Sequence, residues 1–312
     1  MDFLLAGLGL VILVLAGDSL VKGAVNLSLR VGIPALIVSL TIVAFGTSAP
    51  ELLISIAAVK DGAPGLALGN VVGSNTANIL LVLGIPALLA GLHTADCDTR
   101  RSYVQMLAAT ILFIAVCFLG PITWMHGLVL LAALGWMLFD AFREAKAHKN
   151  ALPEVEEVEG ADPDMPWWRI VMFLFLGLVG LPLGADLLVD ASINIARAFG
   201  ISEEVIGLTL VAFGTSLPEL ATTVMASIRR QADVALGNVI GSNMFNLLAI
   251  IGITAMVGDI PVSAEFLTFD LWVMLGASLL LIPFVYFRVN LKRTAGVVLT
   301  GLYVAYVVAL LT

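Results

Sequence analysis

Charge is scarce in this sequence. Only 12% of its 312 residues are Asp, Glu, Lys or Arg, whereas 60% are hydrophobic; soluble domains carry about a quarter charged residues. A chain so poor in charge and so rich in apolar side chains reads as a polytopic, all-α integral membrane protein, because helices satisfy their own backbone in lipid. There are two cysteines, Cys97 and Cys117, too few for a disulfide framework or a thiolate metal centre. The three histidines, His93, His126 and His148, fall at or near the ends of expected helices. Their placement leaves no Ser–His pair for an intramembrane hydrolase and no imidazole cluster for zinc or copper. Basic residues are outnumbered by acids, 15 to 23, which disfavours a nucleic-acid partner.

What is present is long apolar segments. The first, from Phe3 to Ala16 and on through Asp18 and Lys22, has neither a basic amino-terminal region nor a small-residue cleavage site, so it is expected to be a retained span. Further spans are expected at about 33–59, 66–89, 103–119 and 122–142, then at 167–199, 205–228, 234–257, 266–287 and 294–311. The segments 103–119 and 122–142 are each close to the ~20 residues needed to cross a hydrocarbon core. Between the two sets lies a hydrophilic connection at 143–166 holding Glu154 to Glu159, Asp162 and Asp164, read as a solvated linker. The chain thus divides into 1–142, the linker 143–166 and 167–312.

The two parts are copies. Gly46-Thr47-Ser48-Ala49-Pro50-Glu51 recurs as Gly214-Thr215-Ser216-Leu217-Pro218-Glu219, and Gly69-Asn70-Val71-Val72-Gly73-Ser74-Asn75 with Asn78 recurs as Gly237-Asn238-Val239-Ile240-Gly241-Ser242-Asn243 with Asn246. Adding 168 carries every position onto its partner, and also Asp18 onto Asp186 and Asn26 onto Asn194. The repeated regions span about 33–90 and 201–257. Five spans per copy start the second copy on the opposite face, so the repeats are expected to be inverted. The basic residues agree. With the amino terminus outside, Arg30, Arg100, Arg101, Arg143, Lys146, Lys149, Arg169, Arg229, Arg230, Arg288, Lys292 and Arg293 all fall on the cytoplasmic side, and Lys60 and Arg197 outside. Both termini are therefore expected outside, the linker in the cytoplasm, and the protein in the plasma (inner) membrane as a multi-pass chain of ten helices.

The repeated strings carry chemistry. Pro50 and Pro218 cannot donate to the carbonyls of Gly46 and Gly214, and freed carbonyls at membrane depth must line a polar cavity or be buried in protein. Glu51 and Glu219 follow each break, with Thr47 and Ser48, or Thr215 and Ser216, on the same helical face. Asn70, Ser74 and Asn78 form a stripe spaced by four, while Gly69 and Gly73 are small enough for close helix approach. Carboxylates, hydroxyls, amides and carbonyls are hard oxygen ligands suited to calcium, sodium or magnesium. A mid-bilayer carboxylate costs about 2.5–3.5 kcal/mol on insertion scales, which marks an ion pathway unless a base neutralises it. Lys22 is the one base in mid-span, and Asp18, one turn before it, is its nearer partner. A helix–helix contact is the expected role for Asp18 and Asp186, and helix-start acids for Glu203 and Glu204.

The doubled GTSxPE and GNxxGSN strings resemble the two alpha-repeats of the cation/calcium exchanger superfamily, in its compact prokaryotic sodium/calcium antiporters, over nearly the whole chain. The resemblance implies two inverted five-helix repeats, a central site between the second, third, seventh and eighth helices, and alternating access through movement of the first and sixth. It places calcium ligands at Glu51 and Glu219 with the Thr47 and Thr215 carbonyls. It places sodium ligands at Thr47, Ser48, Ser74, Thr215, Ser216 and Ser242 and at the Ala44 and Ala212 carbonyls, with Asn78 and Asn246 completing the centre. Relatives often carry aspartate at one or both of those last positions; asparagine at each leaves two carboxylates and argues against potassium-dependent transport.

The expected function is Na+/Ca2+ antiport. A cavity of charge about −2 is neutralised by one calcium or by several sodium ions, and the same oxygens cannot hold both loads. H+/Ca2+ exchange on the same two glutamates is the alternative, since close like charges favour protonation. The reading names no cofactor and no catalytic residue, only Ca2+ and Na+ as transported ions and the bilayer as partner, with the chain expected to function as a monomer.

Overall fold

The computed structural model describes residues 1–148, 162, 164–199 and 212–311. Those residues form helices and their connections, with two isolated antiparallel bridges and no strand among them. In chain order the helices are α1 (Asp2–Val31), α2 (Ala35–Thr47), α3 (Ala49–Lys60), α4 (Pro64–Leu89), α5 (Arg100–Phe118), α6 (Trp124–Lys146), α7 (Trp167–Ala198), α8 (Leu217–Ile228), α9 (Ala232–Val257), α10 (Phe266–Tyr286) and α11 (Arg293–Leu310). Among the described residues eight are long and apolar enough to span a membrane, or nine when α2 and α3 count as one bent span. The expected span 205–228 is described only from 212, as Ala212–Gly214 and α8. Glu203, Glu204 and the acidic run Glu154 to Glu159 lie outside the described residues.

Local sequence explains the breaks. The axis bends by 41° between α2 and α3. Ser48 leaves the helix there (φ −85°, ψ 4°), and Pro50 in the new first turn has no N–H to continue the ladder. The second copy does the same. Ser216 has φ −86° and ψ 2°, and Pro218 opens α8. Both α4 and α9 loosen into a π turn at the matching place, Asn78–Val82 and Phe245–Ile250, the type of irregularity that accompanies functional sites.

α4 and α9 are the most deeply buried helices, and α6 and α11 are mostly peripheral. Close helix approach at these glycines is seen in the second copy; in the first, the residues that would correspond to Leu36 and Leu40 lie outside the described residues. A Cβ on Gly241 would lie 2.3 Å from the Leu40 carbonyl oxygen and one on Gly237 2.7 Å from that of Leu36, so α2 rides directly on α9. At Gly69 the nearest described atom would be Phe266 at 3.8 Å, and at Gly73 none lies within 4 Å. The Leu92–Leu291 bridge joins the α4–α5 and α10–α11 connections, and the Ile122–Ile260 bridge joins the α5–α6 and α9–α10 connections at the other end of α5. α1 and α7 pack closely where glycines meet: a Cβ on Gly9 would sit 2.8 Å from the Leu188 nitrogen, and one on Gly177 2.8 Å from Leu20 Cα.

Candidate ion-binding site

The two proline breaks place Glu51 and Glu219 in the first turns of α3 and α8, where the helix N-terminus favours negative charge. Both are buried, at 1% and 0% exposure. The spacing Ser48-x-x-Glu51 and Ser216-x-x-Glu219 could close as a local capping box. Neither does, since no side-chain cap forms on α3 or α8. Instead Ser48 Oγ donates to Glu219 Oε1 at 3.2 Å, across the two copies. Thr47 Oγ1 is shared between the Ala44 carbonyl and Asn238 Oδ1, each at 3.3 Å, and lies 3.5 Å from Ser242 Oγ. The Ala44 carbonyl also accepts the Ser48 N–H at 3.1 Å.

The asparagines build the frame. Asn70 Nδ2 donates to the Glu51 carbonyl at 3.2 Å and to Ser55 Oγ at 3.0 Å; Asn238 Nδ2 donates to the Glu219 carbonyl at 3.4 Å and to Thr223 Oγ1 at 3.2 Å. These are one motif written twice, with every partner offset by 168. At the centre Asn75 Nδ2 donates to the Asn243 carbonyl at 3.2 Å, Asn243 Nδ2 returns a bond to the Asn75 carbonyl at 3.3 Å, and Asn78 Nδ2 donates to Asn243 Oδ1 at 3.0 Å. The reciprocal pair clamps α4 to α9.

Several buried polar atoms near the breaks are left over. Both carboxylate oxygens of Glu51, Glu219 Oε2, Ser216 Oγ, Asn75 Oδ1, Asn78 Oδ1 and both polar side-chain atoms of Asn246 are buried without a hydrogen-bond partner. Orphaned buried oxygens of this number are costly unless a ligand meets them. No basic side chain does so among the described residues. Lys22 pairs with Asp18 at 2.9 Å, and Arg229 also bonds Asp18. No group of three or more His, Cys, Asp and Glu side chains occurs among the described residues, so a cation here would rest on two carboxylates supplemented by neutral oxygens.

Of the expected site residues, Ala44, Thr47, Ser48, Glu219 and Ser242 are thus drawn together, and Glu51 is buried in the first turn of α3 with its carbonyl bonded by Asn70. Asn78 joins the centre through Asn243, and Ser74, Ser216 and Asn246 are buried. Thr215 is half-buried, and Ala212 opens the short segment Ala212–Gly214. Sequence reasoning did not assign Ser55, Thr223 or the reciprocal Asn75–Asn243 pair. Their signal was available: Ser55 and Thr223 are hydroxyls one turn after each glutamate and 168 apart.

The profile of the sodium/calcium exchanger protein family matches residues 1–141 and 169–312, both copies and neither the linker. The chain belongs to the sodium/calcium exchanger family. This exchanger is 37% identical to the putative antiporter CaxA of Alkalimonas amylolytica over 88% of the chain and 86% of that protein. It is 35% identical to the sodium/calcium exchanger MaX1 of Methanosarcina acetivorans over 99% and 98%. The structure of the sodium-calcium exchanger NCX_Mj soaked with 2.5 mM Na+ and 0.1 mM Ca2+ superposes with a TM-score of 0.84 at 31% identity, covering 99% of each chain. The exchanger is therefore a multi-pass membrane cation/Ca2+ antiporter of the compact prokaryotic type.

Proposed function

We propose that this exchanger moves Ca2+ against Na+ by alternating access, with both ions competing for the cavity between Glu51 and Glu219. The observation that carries the reading is the pair of buried carboxylates with three unpartnered oxygens and, among the described residues, no base bonded to them. Around them stand hydroxyls and amides from both copies. One Ca2+ neutralises the pair; Na+ does so only in multiples, and shared oxygens make the loads mutually exclusive. A doubly charged empty cavity resists occlusion in a low-dielectric core, which suppresses uncoupled return.

The architecture proposed with it is ten helices in two inverted five-helix repeats, both termini outside and the 143–166 linker in the cytoplasm. The offset of 168 that relates the hydrogen bonds of Asn70 to those of Asn238 supports the repeat. The bridges at opposite ends of α5 support the inversion: 92 plus 168 is 260, and 122 plus 168 is 290, beside Leu291. In this frame Ca2+ is held by Glu51, Glu219 and the Thr47 and Thr215 carbonyls. Na+ takes Thr47, Ser48, Ser74, Thr215, Ser216, Ser242 and the Ala44 and Ala212 carbonyls, with Asn78 and Asn246 at the centre.

Proton/calcium exchange has one observation in its favour, because neither oxygen of Glu51 receives a hydrogen bond and a proton could satisfy it. Calcium-45 uptake into proteoliposomes separates the readings. Vesicles loaded with Na+ and diluted into Na+-free buffer are expected to accumulate calcium, and K+-loaded vesicles given only a pH gradient are not; the opposite pattern would transfer the assignment to proton coupling.

A further inference from the structure

The bonds of Asn70 and Asn238 repeat twofold, but the helices around them do not. α1 lies along α8, so closely that a Cβ on Gly17 would stand 3.0 Å from the Ala221 carbonyl oxygen. The repeat-related pair, α7 and α3, does not pack in this way, and Leu53, which corresponds to Ala221, is 68% exposed. The α1/α7 hairpin is thus seated against the α8 side of the cavity and away from the α3 side.

An ion pair closes the seated side. Arg229, just beyond the end of α8, bonds Asp18 of α1 through both Nε and a terminal nitrogen, and Lys22, one turn on, holds the other Asp18 oxygen at 2.9 Å. All three side chains are partly shielded, from 17% to 33% exposed, so the attraction is only partly screened. On the open side the charges are redistributed. Asp18 maps to Asp186 and Lys22 to Asp190, both on α7, while Arg229 maps to Asp61, whose neighbour Lys60 ends α3. Asp186, Asp190 and Lys60 are exposed and make no ion pair among the described residues.

We infer that Asp18–Arg229 is a state-specific ionic latch between the moving α1/α7 hairpin and the cavity helices, and that Lys60 with Asp186 and Asp190 forms its counterpart when the hairpin seats on α3. Lys22 makes the first latch releasable. When Arg229 withdraws, Asp18 keeps a counter-ion on its own helix and is not left as a lone charge at a helix surface. Asp186 and Asp190 have no such base one turn away, so the second latch gains from Lys60 relieving two like charges. Each transport cycle would exchange one ion pair for the other, and the balance between them sets which face the cavity rests open to. This inference rests on the alternating-access reading above.

The test uses spin labels on the full chain in nanodiscs, at Leu66→Cys and Leu183→Cys, both exposed positions outside the cavity, with Cys97 and Cys117 replaced by alanine. Wild type is expected to give mainly the long α4–α7 distance. Arg229→Gln and Asp18→Asn should raise the short-distance population about three- to tenfold relative to the long one, Lys60→Gln should lower it, and Arg229→Lys should restore the wild-type distribution. Unchanged distributions in Arg229→Gln and Lys60→Gln, in protein that elutes as a single species, would overturn the latch whatever the transport result. Calcium uptake measured on the same variants answers the separate question: distances that shift as expected in a protein that moves no calcium would retain the latch and remove the Na+/Ca2+ reading.

Discussion

Replacing Glu51 by glutamine tests the cavity where its chemistry is least shared. Glu51 contributes two of the three unpartnered carboxylate oxygens, and neither is engaged by a protein donor. The change keeps shape and removes one charge from a pair. At a calcium–oxygen distance of about 2.4 Å and an effective dielectric near 20, one charge is worth about 14 kcal/mol to a divalent ion before dehydration. If four fifths of that is cancelled by stripping water from ion and carboxylate, about 3 kcal/mol survives, a hundredfold or more in affinity. The apo protein should respond the other way, because an uncompensated buried charge has been removed. In a thermal-unfolding assay, calcium at 100 times the wild-type Kd stabilises wild type by about 2.7 kcal/mol and the variant by about 0.4 kcal/mol, while the calcium-free variant melts at or above wild type. Calcium-45 uptake should fall to background. A variant that keeps both the calcium-induced rise in Tm and wild-type flux would refute the two-carboxylate cavity.

Gly241→Ala should cost about 1–3 kcal/mol of stability, since its Cβ would collide with the Leu40 backbone; denaturation of the variant in detergent checks this. Asn243→Leu removes one donor of the reciprocal clamp and leaves Asn78 Nδ2 without its partner, so a loss of about 1–3 kcal/mol is expected by the same measurement. Tyr306→Phe leaves the buried Asp270 without the hydroxyl that donates to it at 2.9 Å; Tm should drop by an amount equivalent to about 1–2 kcal/mol with Na+-driven uptake retained. With asparagine at both 78 and 246, calcium uptake should be the same in potassium and choline media, and a requirement for potassium would show that the missing aspartates are replaced elsewhere.

Sequence alone determined the class of this protein and pointed to the repeated polar strings around Glu51 and Glu219. The scarcity of charge leaves helices as the way for so apolar a chain to satisfy its backbone, and the breaks at Pro50 and Pro218 follow from a missing N–H whatever the surroundings. The repeat of 168 identified Glu51 and Glu219 together with their hydroxyl neighbours, because each copy reports on the other. Tertiary structure decided which partner each polar group takes. The Ser48 hydroxyl could have capped its own helix and instead reaches Glu219, a choice set by how α2 lies on α9 and by nothing local. The same holds for Asn75 and Asn243, whose bonds exist only because the two copies meet face to face. It holds most for Asp18: its neighbour Lys22 was visible one turn away, but Arg229 lies 211 residues on and comes within reach only because the hairpin sits to one side. A repeat in sequence specifies two equal halves, whereas a rigid helix pair packed between two equivalent sites can fill only one of them at a time, and that asymmetry belongs to the packed state.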